Sequence, residues 1–231
     1  MFIPLKDENP TANKPIVTIL LIAINSAVYL YSLTLGDRGS QIFLFKFGLI
    51  PYEIIHITEL TPQIAVPVFL NPFTSMFLHG GFMHLAGNML FLWIFGNNIE
   101  DYLGPIKFLF FYILAGLAAA FLFVVFSPNS EIPMVGASGA IAGVLGAYLV
   151  LFPHARVITL VWIFFLIRII RLPAKFMLGF WFFYQLFMSL SDIGGMGGGV
   201  AWLAHVGGFA FGYFWFKRKR KIKVKREIEY L

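Results

Sequence analysis

The chain of 231 residues is 59% hydrophobic, has a mean hydropathy of +0.83 and carries charge on only 12% of its positions, which excludes a soluble globular domain and points to a membrane protein. It contains no cysteine, so disulfides, thiolate metal sites and cysteine nucleophiles are excluded as well. The net charge of +6 does not indicate a nucleic-acid partner, because eight of the 17 Lys and Arg lie in one run, KRKRKIKVKR at 217–226, which reads as a juxtamembrane anchor on an anionic cytoplasmic face.

A membrane-spanning helix needs roughly 20 mostly apolar residues. Windows of this kind are predicted near 15–35, 77–98, 106–126, 135–152, 173–190 and 200–216. The expected fold class is therefore an all-α polytopic membrane protein, a bundle of six transmembrane helices. A short N-terminal tail (1–14) and a basic C-terminal tail (217–231) flank the core (15–216). The opening MFIPLKDENPTANKP is polar and has no small-residue cleavage site behind it, so the first window reads as a retained helix and not as a signal peptide.

With both termini inside, the inner segments hold 15 Lys and Arg and the outer ones only Arg38 and Lys46. By the positive-inside rule both termini are cytoplasmic, and the fourth helix starts near the outer face. The stretch 36–75 is too long for a turn and too apolar for a solvated loop, so it is expected to lie in the interface or fold back on the bundle. VITLVWIFFLIRIIRLPAK is apolar enough to pass for a further span. Arg168, Arg171 and Pro173 instead suggest a segment along the cytoplasmic surface, with the fifth helix starting at the proline.

Polar groups then recur at one depth. The fourth helix opens with GASGA, which carries Ser138. The second, HGGFMHLAGN, carries His84 and Asn88 one turn apart on one face. The sixth, AWLAHVGG, carries His205. Such groups inside a membrane segment suggest a functional site, against the simpler reading that each one bridges helices by a hydrogen bond. Gly139, Ala142, Gly143 and Gly146 on the fourth helix, and Ala201, Ala204, Gly208 and Gly212 on the sixth, form small-residue stripes that allow close approach. Ser138 and His205 could then meet.

A serine hydroxyl becomes a nucleophile when a neutral imidazole takes its proton, and the same imidazole later protonates the leaving amine. All eleven acidic residues fall in loops, tails or span ends, so a Ser138–His205 dyad is expected and not a triad. Oxyanion stabilisation is assigned to the Ser138 backbone N–H at the positive end of the fourth helix, with Asn88 and His84. Gly136 and Gly139 leave room for a carbonyl to reach the hydroxyl. The run SDIGGMGGGV, with Gly194, Gly195, Gly197, Gly198 and Gly199, is expected to act as a mobile cap that moves with the aromatic fifth helix to admit substrate; a merely loose connector is the alternative. No metal or cofactor is expected.

GASGA at 136–140, HLAGN at 84–88 and AHVGG at 204–208 together resemble the signature motifs of rhomboid intramembrane serine proteases, over nearly the whole core from 15 to 216. The resemblance implies a rhomboid-like bundle with Ser138 as nucleophile, His205 as base and His84 with Asn88 in the oxyanion region. It also implies cleavage of membrane-anchored proteins, single-span substrates among them, near the outer surface and often at small residues. His79 and Glu100 match positions that look structural in the family. Two positions depart from its pattern. NPFTSMFL before His79 lacks the Trp-Arg pair common in the first loop, and Ala142 stands where some members have an aromatic ring supporting the histidine, leaving another aromatic to substitute.

The expected location is the plasma (inner) membrane, with the active site toward the extracytoplasmic side and a monomer sufficient for catalysis, an oligomer being the open alternative. Two rival readings are a small transporter and a non-catalytic rhomboid-like protein that binds membrane clients. The first is disfavoured by the lack of an internal repeat and the shallow polar cluster, the second by the presence of both Ser138 and His205.

Overall fold

The computed structural model describes residues 2–60, 67–163, 165–191 and 201–229. Helices occur at each of the six predicted windows: α1 (Ile16–Thr34), the run from α5 (Phe82–Phe91) through a π-helical turn (Leu92–Gly96) into α6 (Asn97–Leu103), α7 (Pro105–Phe126), α8 (Ser138–Leu151), α9 (Ala174–Ser191) and α10 (Trp202–Glu229). Among the described residues, α1 and α7 are long and apolar enough to cross a bilayer by themselves. The segments Val68–Phe77 and Phe82–Leu103, bent by 78° at the break that holds His79, form a third candidate span.

Local chemistry sets several of these boundaries. Gly104, at φ +77°, stops α6, and its N–H donates to the Glu100 carbonyl at 2.7 Å; Pro105 then opens α7 with a φ suited to a first helical turn. Within 36–75, expected to lie in the interface or fold back on the bundle, the described residues form α2 (Gly36–Phe47), α3 (Pro51–His56) and α4 (Asn71–Thr74). A bridge from Leu49 to Met134 ties it to the strand-like approach to α8.

Helix α8 is the axis of the bundle. It is apolar all round, and 11 of its 14 residues are buried, which is the pattern of a helix surrounded by others. Its length of about 21 Å is less than the roughly 30 Å of a hydrocarbon core. Its neighbours approach to backbone contact. A Cβ on Gly208 would overlap the Gly139 carbonyl oxygen, and one on Gly212 would overlap that of Gly143. On the other side Ala119 and Ala115 of α7 fill the space over Gly139 and Gly143.

The all-α expectation is corrected at the opposite end from Ser138. In the segment expected to lie along the cytoplasmic surface, β2 (Arg156–Ile163) and β3 (Leu166–Pro173) pair antiparallel from Arg156↔Pro173 to Ile163↔Leu166. The N-terminal strand β1 (Phe2–Asp7) adds to β2 with Phe2 opposite Val161. Segments rich in Val, Ile and Thr fit a pleated surface. No Asn-Gly or Asp-Gly marks the turn, however, and β1 comes from about 150 residues away, so pairing was not visible locally. The fifth helix begins right after Pro173, as predicted.

Candidate active site

Ser138 is the first residue of α8, delivered by Gly136 and Ala137. Gly136 has φ +125°, a backbone that favours glycine, and donates its N–H to the Ser75 carbonyl at 2.9 Å. This turn presents the hydroxyl beside the first turn of α10. There Ser138 Oγ lies 2.7 Å from His205 Nε2, within hydrogen-bonding distance. The glycine seam between α8 and α10 is what brings the two helices this close.

The other predicted residues gather around this pair. His84 Nε2 is 2.7 Å from where a Cβ on Gly136 would sit, and Asn88 Nδ2 is 3.6 Å from it, so both side chains pack over the approach to Ser138. Buried Asn88 donates from Nδ2 to His79 Nε2 at 2.9 Å, and the His79 and His84 rings meet edge to face at 5.1 Å. His79, expected to be structural, thus fixes the Asn88 amide. Glu100 does not line the cavity that holds the serine. Its carboxylate caps α1, accepting from the Val17 and Thr18 N–H groups and the Thr18 hydroxyl, each at 2.8 Å.

Three further side chains meet His205, and of these the sequence suggested only that some aromatic would. Its Nδ1 donates to Gln185 Oε1 of α9 at 2.7 Å, and Gln185 is buried. Its ring lies 6.0 Å from that of Trp181 on α9 and 6.2 Å from that of Trp202 on α10, edge to face with the latter. These indoles are the aromatic neighbours of the ring, where Ala142 offers none. Trp181 and Gln185 stand four apart in FWFFYQLF and share a face, but nothing in that run marks the amide as partner of a histidine 20 positions on.

A cavity of about 990 Å³ adjoins the pair. Ser138, His205, Gln185, His84 and Asn88 share its wall with apolar residues such as Met76, Ile141 and Trp181. The predicted cap glycines, Gly194, Gly195, Gly197, Gly198 and Gly199, lie outside the described residues.

Fold and site together define a polytopic helical membrane protein with a recessed serine–histidine pair under a short central helix. Residues 68–219 match the family described as Rhomboid domain, and the chain belongs to the rhomboid family. It is 33% identical over 146 residues to "Rhomboid protein 1, mitochondrial" of Saccharomyces cerevisiae, covering 61% of this chain and 38% of that one. It is 35% identical over 136 residues to "Rhomboid protease GluP" of Bacillus subtilis, covering 59% and 24%. With "Rhomboid protease AarA" of Providencia stuartii it shares 28% identity over 225 residues, covering 85% and 69%. The chain thus spans well under half the length of the first two relatives.

Proposed function

We propose that this chain is an intramembrane serine endopeptidase, a six-span protein of the plasma (inner) membrane with both termini cytoplasmic and its site toward the extracytoplasmic side. The observation that carries the reading is the 2.7 Å contact between Ser138 Oγ and His205 Nε2 inside a cavity shared with Asn88 and His84. The rhomboid relatives named as proteases support it.

His205 Nε2 takes the hydroxyl proton as Ser138 Oγ adds to the scissile carbonyl carbon of a single-span or otherwise membrane-anchored protein. The oxyanion is received by the Ser138 N–H, one of the first helical donors without an intrahelical acceptor, and by the Asn88 and His84 side chains. Collapse passes the proton from His205 to the leaving amine. Water then attacks the acyl-serine, again through His205, and regenerates the hydroxyl.

Substrate entry is assigned to movement of α9, whose outer face is lined by exposed Phe176, Phe180, Phe183 and Phe187 and which holds the bundle by a narrow inner stripe. Cross-linking α9 to α5 with full activity retained would remove this part of the proposal.

The reaction is tested with a single-span substrate in liposomes and with wild type, Ser138→Ala and His205→Ala. A defined product from wild type, absent from both folded variants, is expected. Equal cleavage by all three, or none by any across several substrates, would move the weight to client binding or transport.

A further inference from the structure

We infer that Gln185 is the positioning residue of the base and that seating of α9 against the bundle makes His205 competent; this rests on the protease reading above. A neutral imidazole carries one N–H, and the two tautomers differ in function here. With the proton on Nε2 the ring would donate toward Ser138 and could not take its proton. With the proton on Nδ1 the Nε2 lone pair faces the hydroxyl. The Gln185 carbonyl oxygen, 2.7 Å from Nδ1, can only accept, so it selects the second form.

No carboxylate is hydrogen-bonded to His205 among the described residues, and a neutral amide fits that setting. It orients the ring without placing an anion in a buried site, where an unpaired charge is strongly disfavoured. Trp181, one turn before Gln185, packs on the same ring. Both contacts therefore come from α9, with Ala174, Met177, Leu178 and Ser189 also buried along it. Displacing α9 removes the acceptor and one aromatic wall together. Opening for substrate and competence of the base then exclude one another, and chemistry waits until α9 has returned.

The test uses the full chain with Gln185→Met, nearly isosteric but without the amide acceptor, and Gln185→Glu, which keeps an acceptor. Gln185→Leu replaces the first should it not fold. Covalent labelling of Ser138 by a fluorophosphonate needs the base but no transmembrane substrate. It should slow on the order of 10- to 100-fold in Gln185→Met, as expected for the loss of one orienting hydrogen bond in a buried site, and recover in Gln185→Glu. Cleavage should lose kcat by the same factor with KM unchanged.

The ¹⁵N spectrum of imidazole-labelled protein, assigned by difference against His205→Ala, should show the His205 proton on Nδ1 in wild type and displaced from it in Gln185→Met. Labelling at the wild-type rate in Gln185→Met, or an Nε2–H ring in wild type, overturns the proposal. A wild type inert to probe and substrate would sink the protease reading, while the tautomer comparison would still decide the role of Gln185.

Discussion

Asn88 shows how one side chain depends on another for its position. One of its two amide N–H groups is held by His79 Nε2, and the other is the donor proposed for the oxyanion. Asn88→Ala is expected to lower kcat by about 10²-fold with little change in KM, the signature of an interaction made in the transition state. His79→Ala should act through the same amide, so the double variant should lose less than the two single losses combined, measured as a double-mutant cycle on kcat/KM. Gly136 is constrained by both backbone and space: φ is +125°, and a Cβ would sit 2.7 Å from His84 Nε2. Gly136→Ala is expected to destabilise by about 1–3 kcal/mol and to push His84 from the site. Thermal unfolding and fluorophosphonate labelling, read side by side, check both effects.

At the scale of elements, the α8–α10 seam sets the serine–histidine distance. The carbonyl oxygen of Gly139 occupies the space a Gly208 side chain would need, one residue beyond the nucleophile. Gly208→Ala must therefore spread the two helices, and misplacement of about 1 Å at a catalytic pair is worth on the order of 10²-fold in rate. Gly179 on α9 is the contrast, since nothing lies within 4 Å of the place a methyl group would take there. Gly179→Ala should leave activity unchanged and raise stability by about 0.4–1 kcal/mol, seen as a higher Tm in detergent. At the start of α1, Glu100 answers three donors at once. Glu100→Ala leaves two buried N–H groups and a hydroxyl without that acceptor and should lower stability by about 2–4 kcal/mol. Glu100→Gln, which keeps one acceptor oxygen, should lose less.

For the molecule as a whole, the N-terminal strand closes the end of the bundle opposite the site. Buried Asp7 of β1 accepts from Tyr148 of α8 at 2.7 Å and Asn98 of α6 at 2.8 Å, and Glu8 pairs with Arg171 of β3 at 2.9 Å. Burial raises the Asp7 carboxyl above its ordinary value of 3.8, despite the hydrogen bonds that oppose the shift. The folded state therefore binds its proton more tightly than the unfolded chain does. This contribution to stability is fully present below about 3.8 and is lost as pH rises through the raised value. Unfolding curves taken from about pH 4 upward should show this loss in wild type, and Asp7→Asn, which cannot ionise, should flatten it.

The sequence by itself determined the membrane class, the six helical windows and the residues of the polar cluster, because hydropathy, glycine stripes and isolated polar groups are local patterns that a bilayer makes conspicuous. Ser138, His205, His84 and Asn88 were legible for that reason. Only the tertiary structure decided what holds His205, which end the N-terminus closes and what the 156–173 segment becomes. Gln185 gains its meaning from a hydrogen bond across 20 positions, Asp7 from one across 141, and β2 from a strand at the far end of the chain. Each is a long-range pairing whose partners carry no mark of one another until packing has fixed the distance between them.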